Sequence, residues 1–265
     1  MSIANIHTVR QSFDALRDLC SRGSEKKWYG KLEATGWLSH LRSILSAARV
    51  VGRKVEQLGV SAIVHCSDGW DRTSQIVALA QLMLDAHFRT LDGFITLIEK
   101  DWLSFGHKFR ARLGSVDQPN EHSPIFVQFL DCVWQFLRQS PDIFEFNAAL
   151  LLLLVDHSQS SWFGTFCFDC ERERVRHRLQ DRAASVWSHV LACREVYTNK
   201  NYTRDPAVIF PSCRSACVFA ACCLLLVVLL FCCLGSANHG CIHLPWLRLR
   251  SPLMCVCVCA VCGQH

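Results

Sequence analysis

The sequence lacks a strong excess of charge of either sign. Its 265 residues include 28 Lys and Arg against 23 Asp and Glu, which gives a net charge of +5 and a pI near 8.5. This balance fits an anionic substrate or membrane surface but is too weak to indicate nucleic-acid binding. No basic leader with an apolar core opens the chain, so secretion is not expected. No internal repeat is present, and the length suffices for the core of one α/β domain.

Cysteine is sparse over most of the chain. Only six of the 17 cysteines fall within residues 1–212, and the other eleven fall in the last 53 residues. A disulfide framework is not expected in a cytosolic enzyme, where thiols stay reduced. Within residues 1–212, Cys167 and Cys170, followed by His177, form the one cysteine pair with zinc-like spacing. One pair is too few ligands for a structural zinc site, so no metal or other cofactor is expected.

Residues 64–73, Val-His-Cys-Ser-Asp-Gly-Trp-Asp-Arg-Thr, place Cys66 and Arg72 six positions apart. A β-prone run at 61–64 precedes this segment and a helix-prone run at 75–80 follows it. In a strand–loop–helix of this kind, the loop N–H groups and the helix N-terminus favour an anion. They also lower the pKa of a cysteine, usually about 8.5. The guanidinium of Arg72 matches two phosphate oxygens. The segment therefore indicates a cysteine phosphatase, the alternative being a buried, inert cysteine at a strand end.

The whole string from Cys66 to Thr73 resembles the loop of the myotubularins, a family of phosphoinositide 3-phosphatases. Other segments resemble the family in the same order, at 5–7, 37–40, 99–109, 144–147, 163–166 and 186–188. The similarity runs from about residue 4 to about residue 211. It implies an α/β cysteine-phosphatase fold of the protein tyrosine phosphatase type, with a helix-rich C-terminal half. We expect residues 1–211 to form this domain without its N-terminal part, so that several strands and the lipid-binding module that precedes the domain in the family are missing.

The resemblance also implies a reaction. Myotubularins remove the 3-phosphate from phosphatidylinositol 3-phosphate and its 3,5-bisphosphate, and we expect a cysteinyl-phosphate intermediate. The expected partner is a headgroup at the membrane surface, with the protein cytoplasmic and peripheral on endosomal membranes. Dimers with the same chain or with other myotubularins are a further expectation. Two alternatives stay open: a phosphoprotein (tyrosine) phosphatase, and a catalytically silent truncated scaffold that dimerises with other myotubularins.

Three loop residues are predicted to carry the chemistry. Cys66 is the expected nucleophile, and Arg72 is expected to hold the phosphoryl oxygens. The resemblance points to Asp71 as the proton donor to the leaving inositol oxygen, with Asp68 as the competing carboxylate. The rest of the loop is expected to bind the substrate, through Ser67, Asp68, Gly69 and Trp70.

Cations outside the loop are expected to select the substrate. Lys108 and Arg112 lie four residues apart, which would place them on one face of a helix. By resemblance, they match basic residues that contact inositol phosphates, and Asn5 matches an asparagine at the headgroup. The alternative is a solvated charged face. One departure lies close by, since family members usually have Gly-His-Gly where this chain has Gly-Ser-Val at 114–116.

Apolar spacing predicts helices over about 5–20, over 38–58 up to Gly59, and immediately after the loop. A strand is predicted at 60–65. Ser123 and Pro124 are predicted as N-cap and first residue of a helix that Pro141 ends. A further apolar helix is predicted over 144–156, inside the domain.

The composition changes at about residue 212. Residues 216–234 are an unbroken apolar run of 19 residues, just long enough for a transmembrane helix. A genuine span would anchor the protein in the membrane. The competing interpretation is that 212–265 is an artefact of gene prediction, such as translated intron. The Cys-Val alternation at 255–259 is what a repeated TG dinucleotide would encode.

Overall fold

The computed structural model describes residues 3–22, 27–114, 119–160 and 162–203. The apolar tail from 212 onward, with the predicted span at 216–234, lies outside these ranges. The described residues form twelve α-helices: α1 (Ile6–Ser21), α2 (Trp28–Ala34), α3 (Trp37–Leu58), α4 (Arg72–Leu84), α5 (Leu91–Ile98), α6 (Phe109–Arg112), α7 (Ile125–Gln139), α8 (Ala148–Gln159), α9 (Glu171–Arg176), α10 (Leu179–Arg182), α11 (Val186–Ala192) and α12 (Arg194–Tyr197). A π-helix (Glu99–Ser104) follows α5, and 3₁₀ turns lie at Ala86–Arg89, Pro119–Glu121 and Pro141–Ile143.

The structure confirms the helices predicted on either side of the loop. The Asn5 side chain accepts a hydrogen bond from the Thr8 amide and so begins α1, as short polar N-cap residues do. Helix α3 ends before Gly59, which adopts φ of +61°, a conformation that favours glycine. Helix α4 begins at Arg72, inside the Cys66–Thr73 string.

Two helix starts were predicted wrongly. Ser123 does not cap α7, because its hydroxyl donates instead to the Ile6 carbonyl, and the helix begins after Pro124. The predicted helix over 144–156 begins only at Ala148, where the side chain of Asn147 caps it. The residues before Ala148 are not helical because they pair with a segment distant in sequence: Phe146 forms an isolated antiparallel bridge with Thr198.

The strand predicted at 60–65 is absent. None of the described residues belongs to a strand of a sheet, so only the helical part of the predicted α/β class is present in them. A strand needs a neighbour to accept and donate its backbone hydrogen bonds, and the segment has none within the described ranges. Ile63 is accordingly 93% exposed, although its apolar side chain is typical of a buried strand.

Four helices, α3, α4, α7 and α8, form the middle of the core. Helix α3 packs along α4, which contacts α7, and α7 contacts α8. Polar pairs fix this arrangement: the Gln75 side chain on α4 donates to Gln128 on α7 at 3.0 Å, and the Trp37 indole on α3 donates to Asp131 on α7 at 2.8 Å. These contacts hold α4 in place, and α4 in turn positions the loop that precedes it.

No helix in the described ranges combines the length and the apolar character that crossing a bilayer requires.

Candidate active site

The loop before α4 wraps around the sulfur of Cys66. The Gly69 amide nitrogen lies 3.2 Å from Cys66 Sγ, and Gly69 adopts φ of +95°, which L side chains rarely adopt. Burial raises the pKa of Cys66, but the polar groups of Thr73 and the Gly69 and Asp68 amides lower it by more, so the pKa is lowered overall. Loop and helix N-terminus therefore favour the thiolate, as the sequence predicted.

Thr73 is a residue of the loop string to which the sequence analysis assigned no role. It is buried in the first turn of α4. Its buried hydroxyl makes no close hydrogen bond, but both the hydroxyl and the amide act to lower the pKa of Cys66. A hydroxyl at a helix N-terminus directly after the arginine was the signal that could have revealed this role.

Arg72 lies at the start of α4, on the rim of the same site. Its guanidinium donates to the Ser67 hydroxyl at 3.0 Å, and that hydroxyl donates to Asp68 at 2.9 Å. The side chains of Ser67 and Asp68 are exposed to solvent. This chain of hydrogen bonds ties the Arg72 guanidinium to the first residues of the loop.

Asp71 is buried and held from two sides. Arg112 contacts both its carboxylate oxygens, with Nε 3.2 Å from Oδ1, and Nδ1 of His107 lies 3.0 Å from Oδ1. Burial raises the pKa of Asp71, but His107 and then Arg112 outweigh it and lower the pKa to about 2. Arg112 also donates to Glu121 at 2.8 Å. Asp71 is therefore an ionised carboxylate within a buried network.

Lys108 and Arg112 both reach the site, but they do not share a helical face as predicted. Helix α6 begins only after Lys108, which sits at its N-cap position, and lasts four residues. The Lys108 ammonium lies 4.2 Å from the centre of the Trp70 ring, a cation–π contact. Arg112 is buried and ion-paired, so the solvated-face alternative is excluded for this residue.

One cavity of about 660 Å³ brings these groups together. Its lining includes nine of the ten predicted site residues, namely Asn5, Cys66, Ser67, Asp68, Trp70, Asp71, Arg72, Lys108 and Arg112. The tenth, Gly69, contributes its amide to the sulfur. His7 and Glu121 also line the cavity and were not predicted, although His7 lies only two residues after Asn5. The described residues contain no group of three or more His, Cys, Asp and Glu side chains placed to bind a metal.

Comparison with known proteins agrees with this geometry. Residues 1–175 match the sequence profile of the myotubularin-like phosphatase domain. The chain is 45% identical over 216 residues to myotubularin of Rattus norvegicus and 43% identical to myotubularin of Xenopus laevis, in each case over 80% of this chain and 36% of the relative. It is 45% identical over 206 residues to phosphatidylinositol-3,5-bisphosphate 3-phosphatase MTMR6 of Rattus norvegicus, over 77% of this chain and 32% of that protein.

The chain thus spans about a third of the length of these relatives. The matched part contains the whole Cys66–Thr73 loop and the segment with Lys108 and Arg112. The chain belongs to the family of myotubularin-like phosphatase domains.

Proposed function

We propose that this chain carries the catalytic loop of a phosphoinositide 3-phosphatase, acting on phosphatidylinositol 3-phosphate and its 3,5-bisphosphate. The observation that carries the proposal is the meeting of Cys66, Arg72 and Lys108 in one cavity. A lowered thiol pKa supplies a nucleophile, and the cations favour an anionic substrate. One relative is named as a 3-phosphatase of the 3,5-bisphosphate.

In the proposed reaction, the Cys66 thiolate attacks phosphorus in line with the leaving inositol oxygen. The S–P bond forms as the P–O bond breaks, and the inositol oxygen takes a proton. Arg72 and the loop amides hold the three equatorial oxygens as charge moves. Water then hydrolyses the cysteinyl phosphate, releasing phosphate and restoring the thiolate.

We propose Asp71 as the proton donor, with Asp68 as the alternative. With a pKa of about 2, Asp71 is ionised in the structure, so it must gain a proton before it can donate one. An anionic headgroup that draws Arg112 toward itself would weaken the Asp71–Arg112 pair and add negative charge nearby. Both effects raise the pKa of a carboxyl. Binding of the correct substrate would thereby prepare the acid.

Substrate choice follows from the cations around the loop. Lys108 and Arg112 are additional to Arg72 and line the same cavity, which suits a headgroup with more than one phosphate. A phosphotyrosine side chain carries a single phosphate and would leave Lys108 without an anionic partner. We therefore favour a phosphoinositide over a phosphoprotein. The headgroup of such a lipid lies at the membrane surface. We therefore propose that the protein is cytoplasmic and acts peripherally on endosomal membranes.

The test uses the full chain and short-chain phosphoinositides phosphorylated at the 3-, 4-, 5- or 3,5-positions, with a phosphotyrosine peptide for comparison. We expect phosphate release from the two substrates that carry a 3-phosphate, and little from the others. Preference for the peptide would favour the phosphoprotein phosphatase. Binding without release from any substrate would favour the silent scaffold.

A further inference from the structure

His107 is one of the most buried polar residues near the site, with 1% of its surface exposed. It follows the π-helix and Gly106, and its amide donates to the Trp102 carbonyl at 2.9 Å. The rings of Trp102 and Phe109 meet the imidazole edge to face, each with centroids 4.8 Å from it. This packing fixes the position of the imidazole before any polar contact is considered.

The polar contacts of His107 converge on the catalytic loop. Its Nδ1 lies 2.9 Å from the Trp70 carbonyl oxygen and 3.0 Å from Asp71 Oδ1. A carbonyl and an ionised carboxylate are both acceptors, so Nδ1 must carry a hydrogen. The geometry therefore defines the tautomer of His107, and a single N–H is shared between two consecutive loop residues.

We propose that His107 is a positioning residue, which holds Asp71 and the adjoining loop carbonyl in the orientation needed for proton transfer. This inference rests on the proposed function and deepens it. Arg112 is the other partner of Asp71 and is the cation that an anionic headgroup would draw away. His107 is buried in the core and stays in contact with Asp71 when Arg112 moves to the headgroup. It therefore keeps the carboxyl directed toward the leaving oxygen.

A role in the core alone is the competing interpretation, because the ring packs between two aromatic side chains. Ring packing does not require Nδ1 to face the loop, however, and an apolar ring of similar size would pack as well. The contacts of Nδ1 also contribute to the low pKa of Asp71. The two interpretations predict different responses to the position of a single N–H donor.

The test compares His107→Asn with His107→Gln in the full chain. The Asn amide nitrogen falls near the place of Nδ1, whereas the Gln amide nitrogen falls near that of Nε2, so only Asn retains the donor to Asp71. Each variant is assayed on phosphatidylinositol 3-phosphate, whose inositol is a poor leaving group, and on p-nitrophenyl phosphate, whose phenol leaves without an acid. Asp71→Asn is the reference, and thermal unfolding monitors the fold.

We expect Gln to reduce kcat on the phosphoinositide about 100-fold, within the range for loss of a general acid, with less than about fivefold loss on the aryl phosphate. His107→Asn should retain most of the kcat on the phosphoinositide that His107→Gln loses, and KM should change little in either variant. Equal losses on the two substrates, or no advantage of Asn over Gln, would overturn the proposal and leave a structural role.

Failure of the proposed function can be told apart from failure of this inference. If the wild-type chain hydrolyses only aryl phosphates, the lipid assignment fails. A series of aryl phosphates with progressively poorer leaving groups then decides the role of His107 in the same way. If it hydrolyses nothing, nitrogen NMR of the imidazole decides: a hydrogen on Nδ1, altered by Asp71→Asn, supports the positioning contact, and a hydrogen on Nε2 alone refutes it.

Discussion

Arg112 and Asp71 form a buried ion pair between α6 and the catalytic loop, with both carboxylate oxygens in contact with the guanidinium. The two residues are 41 positions apart, so the pair joins the loop to a segment that the chain reaches much later. Burial lowers the pKa of Arg112, but the carboxylates of Asp71 and Glu121 raise it by more, so the pKa is raised overall. Both partners therefore stay charged across the neutral range.

Removing one partner of this pair should destabilise the fold. We expect Arg112→Gln to lower the free energy of unfolding by about 3–5 kcal/mol, because a buried carboxylate is left without its cation. In Asp71→Asn/Arg112→Gln, the loss should be smaller than the sum of the single losses. Urea unfolding at pH 7 measures all three. Additive losses would show that the pair is not coupled.

Asp131 predicts a pH dependence that is easy to isolate. Complete burial raises its pKa, and hydrogen bonds from Trp37 and Gln135 lower it, with a net value of about 6 against a usual 3.8. The folded state then binds a proton more tightly than the unfolded chain does. The contribution of Asp131 to stability is therefore full below pH 4 and is lost as pH rises toward 6, by roughly 3 kcal/mol.

The variant Asp131→Asn should remove this dependence, while Asp14→Asn, on α1 with a side chain that is 40% exposed, should retain it. Urea unfolding of each variant at pH 4.5 and pH 7 measures the difference. An unchanged difference in Asp131→Asn would mean that Asp131 does not titrate in this window.

Thr73 should control the acidity of Cys66. Loss of its hydroxyl in Thr73→Val removes a group that lowers the pKa of Cys66, and we therefore expect that pKa to rise. Thr73→Ser should keep the wild-type value, and Thr96→Val on α5 serves as a matched control, since its hydroxyl donates to the Asp92 carbonyl. Alkylation by iodoacetamide over a pH series, read at Cys66 by mass spectrometry, gives the midpoint. The same midpoint in Val and Ser would refute this role.

Lys108 should contribute to headgroup recognition rather than to chemistry. We expect Lys108→Met to raise KM for the 3,5-bisphosphate at least tenfold, since charge pairing with a phosphate is lost while the side chain still covers Trp70. Turnover of p-nitrophenyl phosphate should stay within about twofold. Arg110→Met is the control, because Arg110 lies close to Asp169 and does not line the cavity. Equal effects of the two changes would argue against recognition by Lys108.

Local signals carried most of the correct predictions. Apolar spacing and end residues such as Asn5 and Gly59 are short-range features, and they located α1, α3 and α4. The loop was recognisable because its chemistry lies in consecutive residues. The role of His107 depends on a π-helix and on a turn at Gly106, neither of which leaves a simple periodic pattern. The prediction of a strand at 60–65 was wrong for a different reason. A strand forms only beside a neighbouring strand, and the local sequence does not show whether one is present.

The most direct test of the account is phosphate release from phosphatidylinositol 3-phosphate by the full chain and by Cys66→Ser, with lipid binding measured in parallel. A serine retains the size and position of the side chain but not the thiolate. We expect the wild-type chain to release phosphate, and the variant to bind the lipid with similar affinity and to release at least 1,000-fold less, as loss of a covalent nucleophile requires. Equal release by the two proteins would contradict the assignment of Cys66 as nucleophile and with it the proposed mechanism.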